Sequence, residues 1–390
     1  MRGLCEKMPE PSSDRPSICF VGLQNLPVLA PEYTRPGIGG AERQQTLLAK
    51  ALVRQGFEVS MIVHDYGQAD GHVWNGITTF RAYRPTEGIP ILRFVSPRWT
   101  SVWAAMKRAD ADIYYVSCAG MLIGEVAMFA RWYGRKAVFR VANNSDCEPV
   151  LKRIRHARDR VLYRYGLRNA DLVLAQTSTQ ESLLRSNLGR ASRVVPSLSD
   201  LGERRPERGT RDISVLWVSN IRRQKRPDLL LELARRMPQV QFDMVGGPVN
   251  GAEVLFETIS DAARTLPNVR FHGFVPHHEV ALLYERARVF VNTSEMEGFP
   301  NTYMQAWSRG TPVAALFDPD GVIARNGLGR SASSLDELQG AIAQLLNDEA
   351  AWEAVSARCR AHIDRNGDET NMLKPYVEAF LGLTTAHRAG

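Results

Sequence analysis

The sequence predicts an α/β protein of two doubly wound domains, each a mostly parallel sheet covered by helices. Three observations predict it. Short runs rich in Val, Ile and Phe alternate with amphipathic segments of helical period along the chain. At 390 residues the chain is long enough for two separate cores. The alternation is interrupted at residues 201–212 (LGERRPERGTRD), where charge, Pro and Gly replace the apolar pattern. The expected division is a disordered tail at 1–15, a first domain at 16–200, a linker at 201–212 and a second domain at 213–368. A closing helix and tail at 369–390 can pack back on the first domain.

Residues 17–22 (SICFVG) read as a short buried strand. The loop that follows runs to Gly39 and holds three prolines; loops of that length in compact domains often serve function. Gly37-Ile38-Gly39-Gly40 opens a helix at 41–55, which buries Leu47, Leu48, Ala51 and Leu52 and stops at Gly56. Residues 58–64 are the second strand. A glycine turn at the helix start of such a unit lets backbone approach a phosphate, and serves equally as a tight turn. Residues 72–83 read as a hairpin turning at Asn75-Gly76. Residues 99–108 read as a short helix. Strands are expected at 113–119, 137–141 and 172–176, separated by helices near 121–132 and 151–168.

After the linker the pattern resumes. Strands are expected at 213–218, 240–245 and 269–275, with helices at 227–237, 253–265 and 279–287 between and after them. Two amphipathic helices at 335–346 and 349–363 and a last one at 372–381 complete the chain. Two such sheets facing each other across a cleft hold ligands at the carboxyl ends of their strands.

Hydrophobic content of 44% and charged content of 23% are those of a globular protein. No run of 18 apolar residues exists, and the start lacks an apolar core of the secretory type. The five cysteines (5, 19, 118, 147 and 359) form no CxxC, so the expected compartment is the reducing cytoplasm. The formal charge is +7. Much of the excess lies in residues 151–168, where Lys152, Arg153, Arg155, Arg158, Arg160, Arg164 and Arg168 face only Asp159. Such an excess suits nucleic acid, membrane or phosphorylated ligands. No nucleic-acid motif accompanies it, so no nucleic-acid partner is expected. Leu151, Ile154, Val161, Leu162 and Tyr165 recur at helical spacing beside these cations. The segment is therefore expected to dock on an anionic membrane surface at the cytoplasmic face, or else to bury its apolar side in the core.

Residues 294–315 (SEMEGFPNTYMQAWSRGTPVAA) organise the second domain. Val289, Phe290 and Val291 lead in as a buried strand. Glu297, Gly298 and Phe299 form a loop, Pro300 suits the first position of a helix, and Gly310 ends that helix. Amides of Gly298, Phe299, Asn301 and Thr302 at the helix start favour negative charge. Gln305, four residues after Asn301, shares its face. The stretch EGFPNT with the trailing AWSRGTPV resembles the signature of the retaining nucleotide-sugar glycosyltransferases of family 4, the GT-B group. The first-domain GGAER resembles the corresponding loop of the same family. That family places a second acid eight positions after the first; here the position after Glu297 is Gln305.

The resemblance implies a GT-B fold of two Rossmann-like domains and transfer of a hexose-type sugar, with retention, from a nucleoside diphosphate to a glycan or lipid-linked acceptor, as in cell-surface polysaccharide synthesis. It implies Glu297 and Lys225 as catalytic residues. Gly39, Gly40, Arg222, Gly298, Phe299, Asn301, Thr302 and Gln305 would then bind the donor. Ser219-Asn220 stand where the family shows a Gly-Arg pair, with Arg222 as the replacement cation. The first-domain histidine of many members is absent from residues 139–146 (FRVANNSD), leaving Asn143, Asn144 or Asp146 for the acceptor side. Neither a metal nor a cofactor is expected, and the two DxD strings (Asp110-Ala111-Asp112, Asp318-Pro319-Asp320) read as solvated turns. A non-catalytic sugar-nucleotide-binding or scaffold protein, and a nucleotide-sugar epimerase, stay open as alternatives.

Overall fold

The computed structural model describes residues 15–33, 37–89, 92–198, 211–249 and 251–388. Residues 1–14 of the expected tail and 201–210 of the expected linker lie outside these. The chain forms two compact units, residues 1–198 with 369–390, and residues 199–368.

The first unit contains β1 (Ile18–Val21), α1 (Leu26–Leu29), α2 (Gly40–Arg54), β2 (Val59–Val63), β3 (His72–Trp74), β4 (Ile77–Arg81) and α3 (Thr100–Ala109). It continues with β5 (Ile113–Ser117), α4 (Leu122–Tyr133), β6 (Lys136–Arg140), α5 (Ala157–Asn169), β7 (Leu172–Ala175), α6 (Ser178–Leu188) and β8 (Arg193–Val194). The sheet order is β3-β4-β2-β1-β5-β6-β7-β8. All neighbours pair in parallel except β3 with β4, which are antiparallel. Asn75 and Gly76 both take left-handed φ, 51° and 77°, the two-residue turn that matches strand twist. The central strands β1, β2 and β5 are buried along their whole length, as the unbroken apolar runs require. With right-handed crossovers, the change of direction at β1 puts α2 on one face and α3, α4 and α5 on the other. Gly124 and Gly166 let α4 and α5 touch backbone to backbone: a Cβ at either would lie 2.5 Å from main-chain atoms of the other helix.

The expected helix at 151–168 is shorter than the sequence pattern suggests. Leu151 is left-handed at φ 51°, and α5 begins only at Ala157. Of the expected apolar side, Leu151 and Ile154 belong to the core cluster, Tyr165 packs against it and Leu162 is half-buried. Val161 is the exception, 63% exposed.

The second unit contains β9 (Ile213–Val218), α7 (Pro227–Arg236), β10 (Phe242–Val245), α8 (Glu253–Arg264), β11 (Val269–Gly273), α9 (His277–Arg286) and β12 (Ala287–Asn292). Then follow α10 (Asn301–Ser308), β13 (Val313–Ala315), α11 (Val322–Asn326), β14 (Gly329–Ser331), α12 (Leu335–Asn347) and α13 (Glu349–Asn366). The sheet order is β11-β10-β9-β12-β13-β14, all parallel. The elements α11 and β14 leave no signal in the sequence, being too short to show a period. Gly329 makes β14 possible: it sits at φ 146°, and a Cβ there would lie 1.9 Å from the Val313 carbonyl oxygen.

The last helix, α14 (Glu369–Arg388), is twice the expected length and carries Pro375 inside. It belongs to the first unit. Its start is held by Glu369 on Arg54 (3.0 Å to Nε) and its middle by the Tyr376 hydroxyl, which donates to the Pro196 carbonyl at 2.8 Å.

Candidate active site

In the second unit the strand order reverses between β9 and β12, which puts a crevice beyond their carboxyl ends. The loops leaving these two strands carry the residues singled out in the sequence. Hydrogen bonds stitch them together. The indole of Trp217 donates to the Thr293 hydroxyl at 3.0 Å, and that hydroxyl donates to the Lys225 carbonyl at 2.8 Å. The Glu295 amide donates to the Gln224 carbonyl at 3.0 Å. Arg226, left-handed at φ 48°, reaches Glu295 at 2.6 Å and Asp228 at 2.7 Å. Asp228 and Glu295 together hold its guanidinium above the ordinary arginine range.

On this frame Lys225 Nζ meets Glu297 Oε1 in an ion pair. Glu297 is buried and Lys225 partly so. The pair joins two residues that the resemblance names separately. Arg222 lies three residues before Lys225, half-buried, with its Nε shut away from solvent and without a hydrogen-bond partner among the described residues. Gly298 is buried, and Phe299 rests edge-on against Trp307 at 6.5 Å between ring centres. Pro300 is the residue before α10 rather than its first, with φ −67° and ψ 116°; Asn301 and Thr302 form the first turn.

Gln305 lies on α10 with its amide nitrogen 3.4 Å from His277 Nε2 on α9, beside a small pocket of about 20 Å³. The loops after β10 and β11 close the crevice on its other side. Ser219 donates to the Val245 carbonyl, Ile221 to Gly247 and Gly246 to Gly273, at 3.0, 3.1 and 2.8 Å. In the sequence Gly246 and Gly247 mark only a strand end. A Cβ on Gly246 would lie 2.2 Å from the Ser219 carbonyl oxygen, so only glycine lets the two loops touch. His272, near the end of β11, is engaged with the buried Asp243 at 2.6 Å.

Gly39 and Gly40 lie in the first unit, at the start of α2, with Gly39 as N-cap and Gly40 as first residue. The Glu42 carboxylate folds back against Gly39, 2.6 Å from where a Cβ would stand. Of the acceptor-side candidates, Asp146 serves its own loop. Its carboxylate accepts from the amides of Ala142 and Asn143, both at 3.0 Å, and burial raises its pKa to about 6. The DxD aspartates are engaged in turns: Arg135 reaches Asp110 at 2.5 Å and Asp112 at 3.2 Å, and Asp318 accepts from the amides of Ile323 and Ala324.

Known structures share this architecture. Sucrose-phosphate synthase from Thermosynechococcus elongatus superposes with a TM-score of 0.76 at 19% identity, over 95% of this chain and 100% of its own. Anabaena HepE, solved with UDP and glucose, superposes at 0.73 and 17% identity, over 94% of this chain and 99% of its own. The fold is therefore that of the GT-B glycosyltransferases. The family models agree half by half: the glycosyl transferase 4-like domain matches residues 39–197, and glycosyl transferases group 1 matches residues 212–348. The chain belongs to this glycosyltransferase family. Among curated proteins it is similar to a subunit of the phosphatidylinositol N-acetylglucosaminyltransferase of Arabidopsis thaliana, 25% identical over 300 residues. That match takes in 73% of this chain, which spans 65% of the plant protein's length.

Proposed function

We propose that this protein transfers a hexosyl group from a nucleoside diphosphate sugar to a glycan or lipid-linked acceptor, with retention and without a metal or other cofactor. The observation that carries the reading is the Lys225–Glu297 pair, set beside the mouth of α10 at the strand-order reversal. The leaving group is a nucleoside diphosphate, on which negative charge grows in the transition state. Preorganised cations and a helix N-terminus stabilise such charge without reorganisation. Lys225, Arg222 and the first turn of α10 take that role, which a metal takes elsewhere. Glu297 holds Lys225 in place in the resting site and contacts the sugar hydroxyls when donor binds. In a front-face displacement the departing phosphate oxygen accepts the acceptor's proton, so no separate general base is required.

The plant relative is named for transfer to phosphatidylinositol, which supports a lipid-linked acceptor. The proposed setting is the cytoplasmic face of a membrane; no helix among the described residues is long and apolar enough to cross one. The test is release of nucleoside diphosphate from a panel of nucleotide sugars, with and without acceptor, in the presence of a chelator. Acceptor-dependent release that survives chelation, with the anomeric configuration kept in the product's NMR spectrum, is expected. Release that ignores the acceptor sinks the transferase reading, and an inverted product sinks retention.

A further inference from the structure

In the first unit, residues 93–98 ahead of α3 and the start of α5 line an open pocket of about 420 Å³. Its lining is Arg93, Phe94, Arg98, His156, Ala157 and Arg158. No carboxylate is among these residues. Arg158 lies over the Phe94 ring, 3.4 Å from its centre, and spends its Nε on Asp159 at 2.8 Å, which leaves the rest of its planar fork beside the pocket. Arg98 stands 6.0 Å above the Tyr83 ring, with its Nε buried and without a hydrogen-bond partner among the described residues. A buried guanidinium N–H without an acceptor is costly to leave unmade. His156 is the N-cap of the 13-residue α5 and makes no side-chain cap bond, so the helix presents its positive end here. Gly88 shapes the loop: at φ 93°, its Cβ position lies 2.6 Å from Pro97 and 2.7 Å from Arg93.

The pocket is also on the ligand side of its sheet. Helices α3 and α5 each precede a parallel strand, so their N-termini lie at the strands' carboxyl ends, as does the start of α2 at Gly39 and Gly40. Exposed apolar side chains flank it: Leu92 and Val95 in the same loop, and Val161 one helical turn after Arg158. Three guanidinium groups, one of them with an unsatisfied buried N–H, stand beside a helix N-terminus, and these are groups that phosphate oxygens accept from.

We infer that this pocket binds the phosphate or diphosphate group of the acceptor, an inference that rests on the acceptor reading above. It is distinct from the diphosphate subsite at Lys225 and is read out separately. Inorganic pyrophosphate is titrated calorimetrically into the full chain and into Arg98→Gln, Arg158→Gln and Lys225→Ala. Two binding events are expected, one weakened about tenfold by each arginine variant and one weakened by Lys225→Ala, since a charged hydrogen bond is worth about that factor or more. Arg93→Gln, at a half-exposed position, gives the same reading should burial of Arg98 compromise folding of its variant. Pyrophosphate binding that no arginine variant alters overturns the inference. An arginine-dependent event without a Lys225-dependent one supports the pocket and counts against the donor site. Co-sedimentation with phosphatidylglycerol-containing vesicles separates the sources. Loss in the arginine variants supports a lipid-borne phosphate; unchanged sedimentation alongside lost pyrophosphate binding supports a water-soluble phosphorylated acceptor.

Discussion

In the second unit, the loops after β9 and β12 are tied by two ion pairs and three hydrogen bonds before any ligand arrives. Among the described residues the first unit leaves buried polar atoms of Asn25, Arg98, Glu125 and Arg140 without partners, whereas at these two loops of the second unit only the Arg222 Nε is left so. The second unit thus spends most of its polar groups there on each other, which fixes the frame on which the proposed charge stabilisation rests. Of these four residues of the first unit only Arg98 lines a pocket, and Asn25, Glu125 and Arg140 are enclosed in the core. The lesson is that two sheets of similar design differ in how far the polar groups at their loops are preorganised by one another.

The comparison breaks most visibly if the stitched frame is cut. Glu297→Gln leaves Lys225 without its buried counter-charge and, on the proposed reading, takes the carboxylate from the donor sugar, so turnover should fall on the order of a hundredfold. Lys225→Ala should lower donor affinity and turnover together by roughly ten- to a hundredfold. Steady-state kinetics with the preferred donor checks both, and full activity in Glu297→Gln would defeat the site assignment. Gly246→Ala attacks the same frame sterically, since the new methyl meets the Ser219 carbonyl oxygen rather than a side chain that can swing away. A loss of about 1–3 kcal/mol in stability is expected, read as a lowered denaturation midpoint.

Gln305→Glu sharpens the picture at the frame's edge. With His277 3.4 Å away, an added carboxylate gains a neighbour. If Gln305 stands in for the family's acid, donor binding should tighten roughly five- to thirtyfold; if the site has been rebuilt around the amide, the diphosphate is repelled and binding weakens by a similar factor. Calorimetric titration reads the sign.

The smallest effect concerns the buried carboxyls of the first unit. Burial raises the pKa of Glu125 well above the ordinary 4.5 and that of Asp146 from 3.8 to about 6. A carboxyl whose folded-state pKa is raised adds stability that is complete below the unfolded value and lost as pH climbs through the folded value. The first unit should therefore soften between about pH 4 and 6 on account of Asp146, and further at higher pH on account of Glu125. Glu125→Gln should be as stable as the parent at pH 4 and more stable at pH 7. Thermal midpoints of the two proteins that differ equally at both pH values would show that Glu125 is not held neutral.

By itself the sequence determined what local period and turn chemistry can specify. The strand–helix alternation, the Asn75-Gly76 hairpin and the strand–loop–helix around Glu297 were all legible, because each depends on neighbours a few residues apart. Family membership was legible in EGFPNT for the same reason. Tertiary structure alone decided which distant residues meet. Lys225 finds Glu297 across 72 positions, because β9 and β12 are neighbours in the sheet although two strands and three helices separate them along the chain. It also decided which apolar residues of 151–168 are buried, since the amphipathic pattern fits a membrane surface as well as a core. The spacing of Leu151, Ile154 and Tyr165 is the same in either setting, and only the packed structure shows that these three turn to the core while Val161 stays exposed. Arg98 and Arg158 became a pocket for the same reason: periodicity reports which face a residue shares, while the partner on that face is chosen by the chain's return.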